Sequence, residues 1–293
     1  MRTVDIIYRY EAQEVPARPL PGDSDAALSR LDDGNRSFSA LLDRVQEESG
    51  LIQHVIPVEP FDLGTVSSTT GAPKHRPFAA VVGCADARVP IELIFNEGPN
   101  NLFVTRVAGN GPGADVLGSL KYAVEHLDTL KLIVVLGHSG CGALTAAVDV
   151  FLNPGDYLAL ASKPSLRAIL DRTLIVIQAS SNKLLSTFGP RFAPTAGYRQ
   201  ALIEASIVTN AALSAYSIQQ ELGIDAEAPL RVVYGVYLLE TRAIWAPRRG
   251  SKTGAGLAAA PKDLAGFVEL ADALVESERI VSLVRAEGEP RVA

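Results

Sequence analysis

The residues able to do chemistry stand out by scarcity and placement. Cys84 and Cys141 are the only two cysteines among 293 residues, and each follows an apolar run and sits in a glycine-containing turn, VVGCADAR and LGHSGCGA. One disulfide would add little to a chain long enough to bury a full core, so the placement points to a chemical role. Zn2+ favours tetrahedral sites of thiolate and imidazole, and three protein ligands with one open position keep a water for chemistry. Cys84, His138 and Cys141 supply that set. The His138-x-x-Cys141 half lies where strand turns into helix, and helix amides there favour an anionic thiolate.

Alone, an H-x-x-C pair is more often structural, and a lone buried cysteine is more often a small core residue. The other turn shifts the balance, because Cys84-Ala85-Asp86-Ala87-Arg88 sets a carboxylate and its guanidinium partner beside one ligand. Buried charges must be paired, and with no ligands nearby an Asp86 to Arg88 ion pair would only brace the loop. Beside a Cys2His site it has a further use: it accepts the hydrogen of the nucleophile and aims its lone pair at substrate.

Positioning these residues requires strands that end side by side. The runs at 78–83, 101–109 and 131–137 are short, apolar and end at glycine, as buried strands do. DVLGSLKYAVEHLDTL between the second and third has helical periodicity, and another helix opens at SGCGALTAAVDVFL. This alternation predicts a mostly parallel central sheet flanked by helices, an α/β fold. Right-handed crossovers gather the strand C-terminal ends along one edge, where open α/β sheets carry ligands. Cys84 and His138 both stand at such ends.

The run at 230–240 reads as a further strand, and two long helices precede it, the second closed by Gly223. SDAALSRLDDGNRSFSALLDRVQEE reads as amphipathic helix, with DDGN breaking it in two. RRGSKTGAG reads as a linker or mobile loop, and Pro261 to about Arg285 as one amphipathic helix. His54 and His126 read as structural or solvated, and Glu92, Glu97 and Asp115 as helix-end or turn residues. The expectation is a single domain over 1–293, with a core at about 24–246, an N-terminal helical arm that includes 1–23 and a C-terminal helical extension at 247–293.

Composition narrows the class. With 47% hydrophobic and 20% charged residues the chain is expected to fold, and a net charge of −6 without a basic block speaks against nucleic acid. Lys131, His138 and Asp149 interrupt the most hydrophobic region, so no stretch of the roughly 18 to 20 residues that span a membrane is expected. The first residues lack the apolar core of a secretory signal, and the expected location is cytoplasmic.

GCADARVPIELIFNEGPNNLFVTRVAGN followed by GSLKYAVEHLDTLKLIVVLGHSGCGAL resembles the signature region of β-class carbonic anhydrases, and GNRSF and VYGVYLLET resemble further family segments. The resemblance runs from about Leu31 to Glu240 and leaves 151–197 and the tail beyond 247 unaccounted for. It implies a β-carbonic anhydrase-like fold in which Cys84, His138 and Cys141 hold Zn2+, one per subunit. It implies reversible hydration of CO2 to bicarbonate and a proton by zinc hydroxide, oriented by an Asp86/Arg88 dyad, with Asp86 an alternative fourth ligand in a closed state. Homodimers or multiples of dimers are implied too, with no nucleic-acid or membrane partner.

By the same resemblance Phe103 lines the substrate pocket or is a plain core residue, and Gly109 and Gly142 orient oxygen or only make their turns. His75 stands where many relatives have Gln, and either relays a proton or lies exposed in a loop. Val81 replaces a Trp found in the subclass regulated by a second bicarbonate, so that pocket is expected to be absent. Ala87 and Ala108 replace Ser and Val. The alternatives are a zinc hydrolase of COS or CS2 on the same fold and a non-catalytic zinc-stabilised regulatory protein. GNGPG and GHSGCG lack the spacing of a nucleotide-binding loop.

Overall fold

The computed structural model describes residues 3–9, 18–47, 51–58, 62, 71–160, 162–225, 228–251 and 256–285. In the N-terminal arm, Thr3–Arg9 is a strand (β1) rather than part of a helical arm. After Ser24–Glu47 (α1) the chain returns as Leu51–Pro57 (β2), parallel to β1. Alternation along β2 turns Ile52, His54 and Ile56 inward, and the buried His54 bonds through Nε2 to Asn96 Oδ1 at 2.9 Å.

The expected break at DDGN does not occur, since α1 runs unbroken through it. Gly34 is there for a tertiary reason: a Cβ at this position would lie 1.9 Å from the Phe95 carbonyl oxygen. The next residue fastens the same crossing. Asn35 donates to the carbonyls of Ile94 and Arg242 at 3.2 and 3.0 Å and accepts from the Ile244 amide at 2.8 Å. Replacing an exposed helical Gly by Ala gains roughly 1 kcal/mol in propensity, whereas a side chain forced onto fixed backbone costs about 1–3 kcal/mol or more. The second effect wins here. Gly34→Ala is therefore expected to destabilise the protein by about 2 kcal/mol, measured as a lowered midpoint in urea.

Beyond α1 the sheet assembles as expected. Ala79–Gly83 (β3) leads through Ile91–Ile94 (α2) to Leu102–Arg106 (β4), and Ala114–His126 (α3) carries the chain to Leu132–His138 (β5). Three helices follow, Gly142–Leu152 (α4), Pro164–Phe188 (α5) and Ala196–Glu221 (α6), then Arg231–Tyr237 (β6) and the short Ile244–Trp245 (β7) and Ala258–Ala259 (β8). The order is β4-β3-β5-β6-β7, with the first four strands parallel and both β7 and β8 antiparallel to β6.

Every residue of β3 and β5 is buried, which explains their unbroken apolar runs. Period-2 alternation divides them between two cores. Ala80, Val82, Ile133 and Val135 pack with Leu120, Leu144 and Ile207, while Ala79, Val81, Leu132 and Val134 pack with Leu31, Ile91 and Phe95. At the margin of the second core the fully buried Glu97 carboxylate takes Arg30 at 2.7 and 2.5 Å, and the Arg30 guanidinium lies 4.5 Å above the Phe78 ring.

One expectation about apolar length needs correction. Gly197–Glu221 is long and apolar enough to cross a membrane, with a mean hydropathy of 1.3, yet 78% of its most apolar window is buried inside the protein. It packs on β5 and β6, so the apolarity on all sides serves the core. The C-terminal tail is two helices rather than one, Leu264–Glu276 (α7) and Glu278–Arg285 (α8), parted by the extended Ser277. They pack on α5 and α6, and β8 joins the central sheet. Arg248 bridges to Ser251 in the expected RRGSKTG loop, whose residues 252–255 lie outside those described.

Candidate metal centre

The parallel sheet brings distant residues to one edge. β3 ends at Gly83, level with Leu136 of β5, so Cys84 emerges beside the strand end that carries His138. Gly140, at φ 63°, turns the chain back and sets Cys141 at the entrance of α4. Cys84, His138 and Cys141 thus come together with ligand atoms within 4.8 Å of one another. All three are buried.

His138 Nδ1 donates to the Ser139 carbonyl at 3.0 Å, which fixes the tautomer and leaves Nε2 with a lone pair. That Nε2 is buried with no hydrogen-bond partner. Such an atom is costly unless something accepts its lone pair, and a metal ion does. The sulfurs have their own donors: the Asp86 and Gly109 amides for Cys84, and the Leu144 and Ala143 amides for Cys141. A hydrogen bond from Cys141 lowers the Cys84 thiol to about 4, and the same bond together with burial pushes Cys141 up. Two closely set sulfurs cannot both be anionic without a cation between them. Two cysteine sulfurs and an imidazole nitrogen, buried and close together, form a donor set that fits a metal ion of the Zn2+ type.

Asp86 stands at the mouth of this cluster, with Oδ2 3.9 Å from His138 Nε2. Arg88 grips it as a fork, Nε to Oδ1 at 3.0 Å and Nη2 to Oδ2 at 2.7 Å, and the Arg88 amide adds a bond to Oδ1 at 2.9 Å. The Arg88 side-chain bond is the main reason the Asp86 carboxyl titrates well below the usual carboxylate range. With both oxygens engaged by Arg88, Asp86 is not turned onto the triad, and for it to serve as a ligand this pair must part. Arg106 locks the loop from behind by donating to the Cys84 and Asp86 carbonyls. The sequence motifs did not single out Arg106. Its available signal is a cation at the end of a strand adjacent to the ligand-bearing one, level with Gly83.

The remaining candidates divide. Gly109, at φ 72°, uses its amide on Cys84 and its carbonyl on Asn210 Nδ2 at 2.9 Å, so both groups serve the turn and the ligand. A Cβ at Gly142 or Gly140 would meet nothing within 4 Å, so neither glycine is required by close packing, and at Gly140 the positive φ of the turn is the reason for glycine. Phe103 pairs with Ala80, four residues before Cys84 along the strand, or roughly 13 Å away at strand rise. His75 is exposed and lies against it, ring centroids 5.9 Å apart. His75 and Phe103 thus pack on each other, level with a point on β3 well before its metal-side end. Val81 is a fully buried core residue.

Comparison with known proteins adds a family. A model of the carbonic anhydrase family matches residues 79–241. Carbonic anhydrase 2 of Mycobacterium tuberculosis is 38% identical over 136 residues, 45% of this chain and 58% of that one. A carbonic anhydrase of Mycolicibacterium smegmatis is 49% identical over 75 residues, 26% of this chain and 36% of that one. This chain therefore matches little more than half the length of the first relative and about a third of the second. Among solved structures, a Coccomyxa β-carbonic anhydrase in complex with acetazolamide is 20% identical, with a TM-score of 0.48, covering 74% of this chain and 84% of that one.

Proposed function

Since this chain belongs to the β-class carbonic anhydrase family, we propose that it catalyses the reversible hydration of CO2 to bicarbonate and a proton, with about one zinc ion per chain held by Cys84, His138 and Cys141. The observation that carries the proposal is the unpartnered, buried His138 Nε2 facing two cysteine sulfurs, with an ionised carboxylate 3.9 Å away. A zinc ion held by these residues would supply the Lewis acidity that makes water a nucleophile at neutral pH.

The chain's own residues do the rest. Asp86 can only accept hydrogen bonds, because Arg88 keeps it ionised. Its Oδ2 takes a hydrogen of the nucleophile, which leaves the lone pair directed at the carbon of CO2. Arg88 holds the carboxylate in place through two parallel bonds, a geometry a lysine does not reproduce. The exposed apolar residues Ile6, Tyr8 and Leu51 on the two-stranded sheet support the further proposal of homodimers or multiples of dimers.

The test is metal analysis followed by stopped-flow CO2 hydration across pH. Zinc at about one per chain and hydration well above the uncatalysed rate are expected. Bound zinc with no hydration at any pH would defeat the proposal, and turnover of COS or CS2 by that same sample would favour the hydrolase reading.

A further inference from the structure

The C-terminal extension lies beyond the segment matched by the family model, yet its Arg279 bonds to Glu240, whose carboxylate accepts from Ser139 of the metal loop. Resting on the zinc reading above, we propose that Arg279 of α8 is a positioning residue for His138, acting through Glu240 and Ser139, so that this helix sets how firmly the triad holds its metal.

The chain of contacts begins at Ser139. Its amide donates to the Tyr237 carbonyl at 2.9 Å, its hydroxyl donates to Glu240 Oε2 at 2.8 Å, and that hydroxyl accepts from the Leu239 amide at 2.9 Å. Held at these three points, Ser139 has one polar group left, the carbonyl that takes His138 Nδ1 at 3.0 Å. The direction of the imidazole therefore depends on where Ser139 is held, as it does for outer partners of metal-bound histidines generally.

Glu240 is held in turn. Its side chain is 49% exposed, so water competes for it, and Arg279 Nη1 ties Oε1 at 2.6 Å. The same guanidinium sends Nε to Glu204 Oε2 at 2.7 Å. Glu204 is buried on α6 and also accepts from Gln200 at 3.1 Å. One cation thus spans two carboxylates from different elements. Without it the two like charges face each other, and Glu240 is free to leave Ser139 for solvent. The helix that carries Arg279 is well seated, since Ser277 and Ile280 at its start are buried. The guanidinium therefore sits at a fixed place relative to the sheet edge.

A merely structural role for Arg279, tying α8 to α6, makes a different prediction. Glu204→Gln weakens that tie but leaves the line from Arg279 through Glu240 to Ser139 intact. Arg279→Met and Ser139→Ala break the line at its two ends. The experiment measures transfer of zinc from each protein to a chromogenic chelator, the absorption spectrum of each Co2+-substituted protein, and unfolding in urea. Zinc release about tenfold faster than wild type, with an altered Co2+ spectrum, is expected for Arg279→Met and Ser139→Ala, and rates near wild type for Glu204→Gln.

Arg279→Lys keeps the charge but not the fork across two carboxylates, and carries the test should Arg279→Met not fold. Wild-type release rates and spectra in the Ser139 and Arg279 variants would overturn the inference, as would Glu204→Gln matching Arg279→Met in release rate. A wild-type protein that holds zinc while its variants release it no faster overturns this inference alone. A wild type that takes up neither zinc nor Co2+ overturns the metal reading and this inference with it.

Discussion

Cys141→Ala protein is expected to be purified with zinc at background level and to hydrate CO2 no faster than buffer. Cys141 sits at the entrance of α4 with its sulfur among the amides of Ala143 and Leu144, as the Cys84 sulfur sits among those of Asp86 and Gly109, so each sulfur has backbone donors ready for a metal-bound thiolate. Complete thiolate and imidazole sites bind zinc with on the order of 10–16 kcal/mol, so one ligand of the set accounts for several kcal/mol. At 1.4 kcal/mol per tenfold, its loss weakens the metal by at least about a hundredfold to a thousandfold.

Hydration falls further than affinity. A free water has a pKa of about 15.7 against about 7 when zinc-bound, so metal-free protein has almost no nucleophile at neutral pH, and a drop of at least about a thousandfold is expected. The fold is expected to survive, because replacing the CH2SH of Cys141 by CH3 removes one heavy atom from a large core, and the Ala143 and Leu144 amides that lose the sulfur are first-turn amides of α4, whose loss of a partner costs about 1–3 kcal/mol. Metal analysis, circular dichroism and stopped-flow hydration on one preparation check all three points. Full zinc content with wild-type hydration in Cys141→Ala would show that the triad is not the metal site.

The triad was legible in sequence because its two turns each carry a short-range signal, and parallel strands with right-handed crossovers leave few ways to separate them. The same holds for β3 and β5, whose full burial writes itself as unbroken apolar runs. What escaped is what depends on contacts between distant elements. Gly34 reads as a helix breaker by propensity, but its Cα is where α1 passes the Phe95 carbonyl. β1 mixes charged and apolar residues and gains its pairing only once α1 has returned the chain alongside it. α6 reads locally as an ordinary long helix, and the burial of its apolar length follows from packing on β5 and β6. Arg106, Ser139 and Glu240 are ordinary residues locally. Their roles come from strand register, which sets Arg106 level with Gly83 and brings the end of β6 alongside His138.

Asp86→Asn and Arg88→Ala are expected to separate catalysis from metal binding. Asparagine keeps the size of Asp86 and the Arg88 amide bond at Oδ1, but an amide offers one acceptor and two donors where the carboxylate offered acceptors only. Its nitrogen can then face the nucleophile and no longer takes its hydrogen. Loss of such an oriented acceptor removes about a hundredfold to a thousandfold in kcat, with zinc content unchanged. Arg88→Ala acts differently. The Asp86 carboxylate loses its fork, and the triad is within reach of it, since Oδ2 already lies 3.9 Å from His138 Nε2. A freed carboxylate that turns onto the metal closes the position substrate needs. Arg88→Ala is therefore expected to lose at least as much activity as Asp86→Asn while holding zinc as tightly as wild type or more so. Stopped-flow hydration, zinc release to a chelator and the Co2+ spectrum, taken together on both variants, read the two effects apart. Asp86→Asn with full zinc and hydration within about threefold of wild type would rule out the dyad as part of the catalytic machinery.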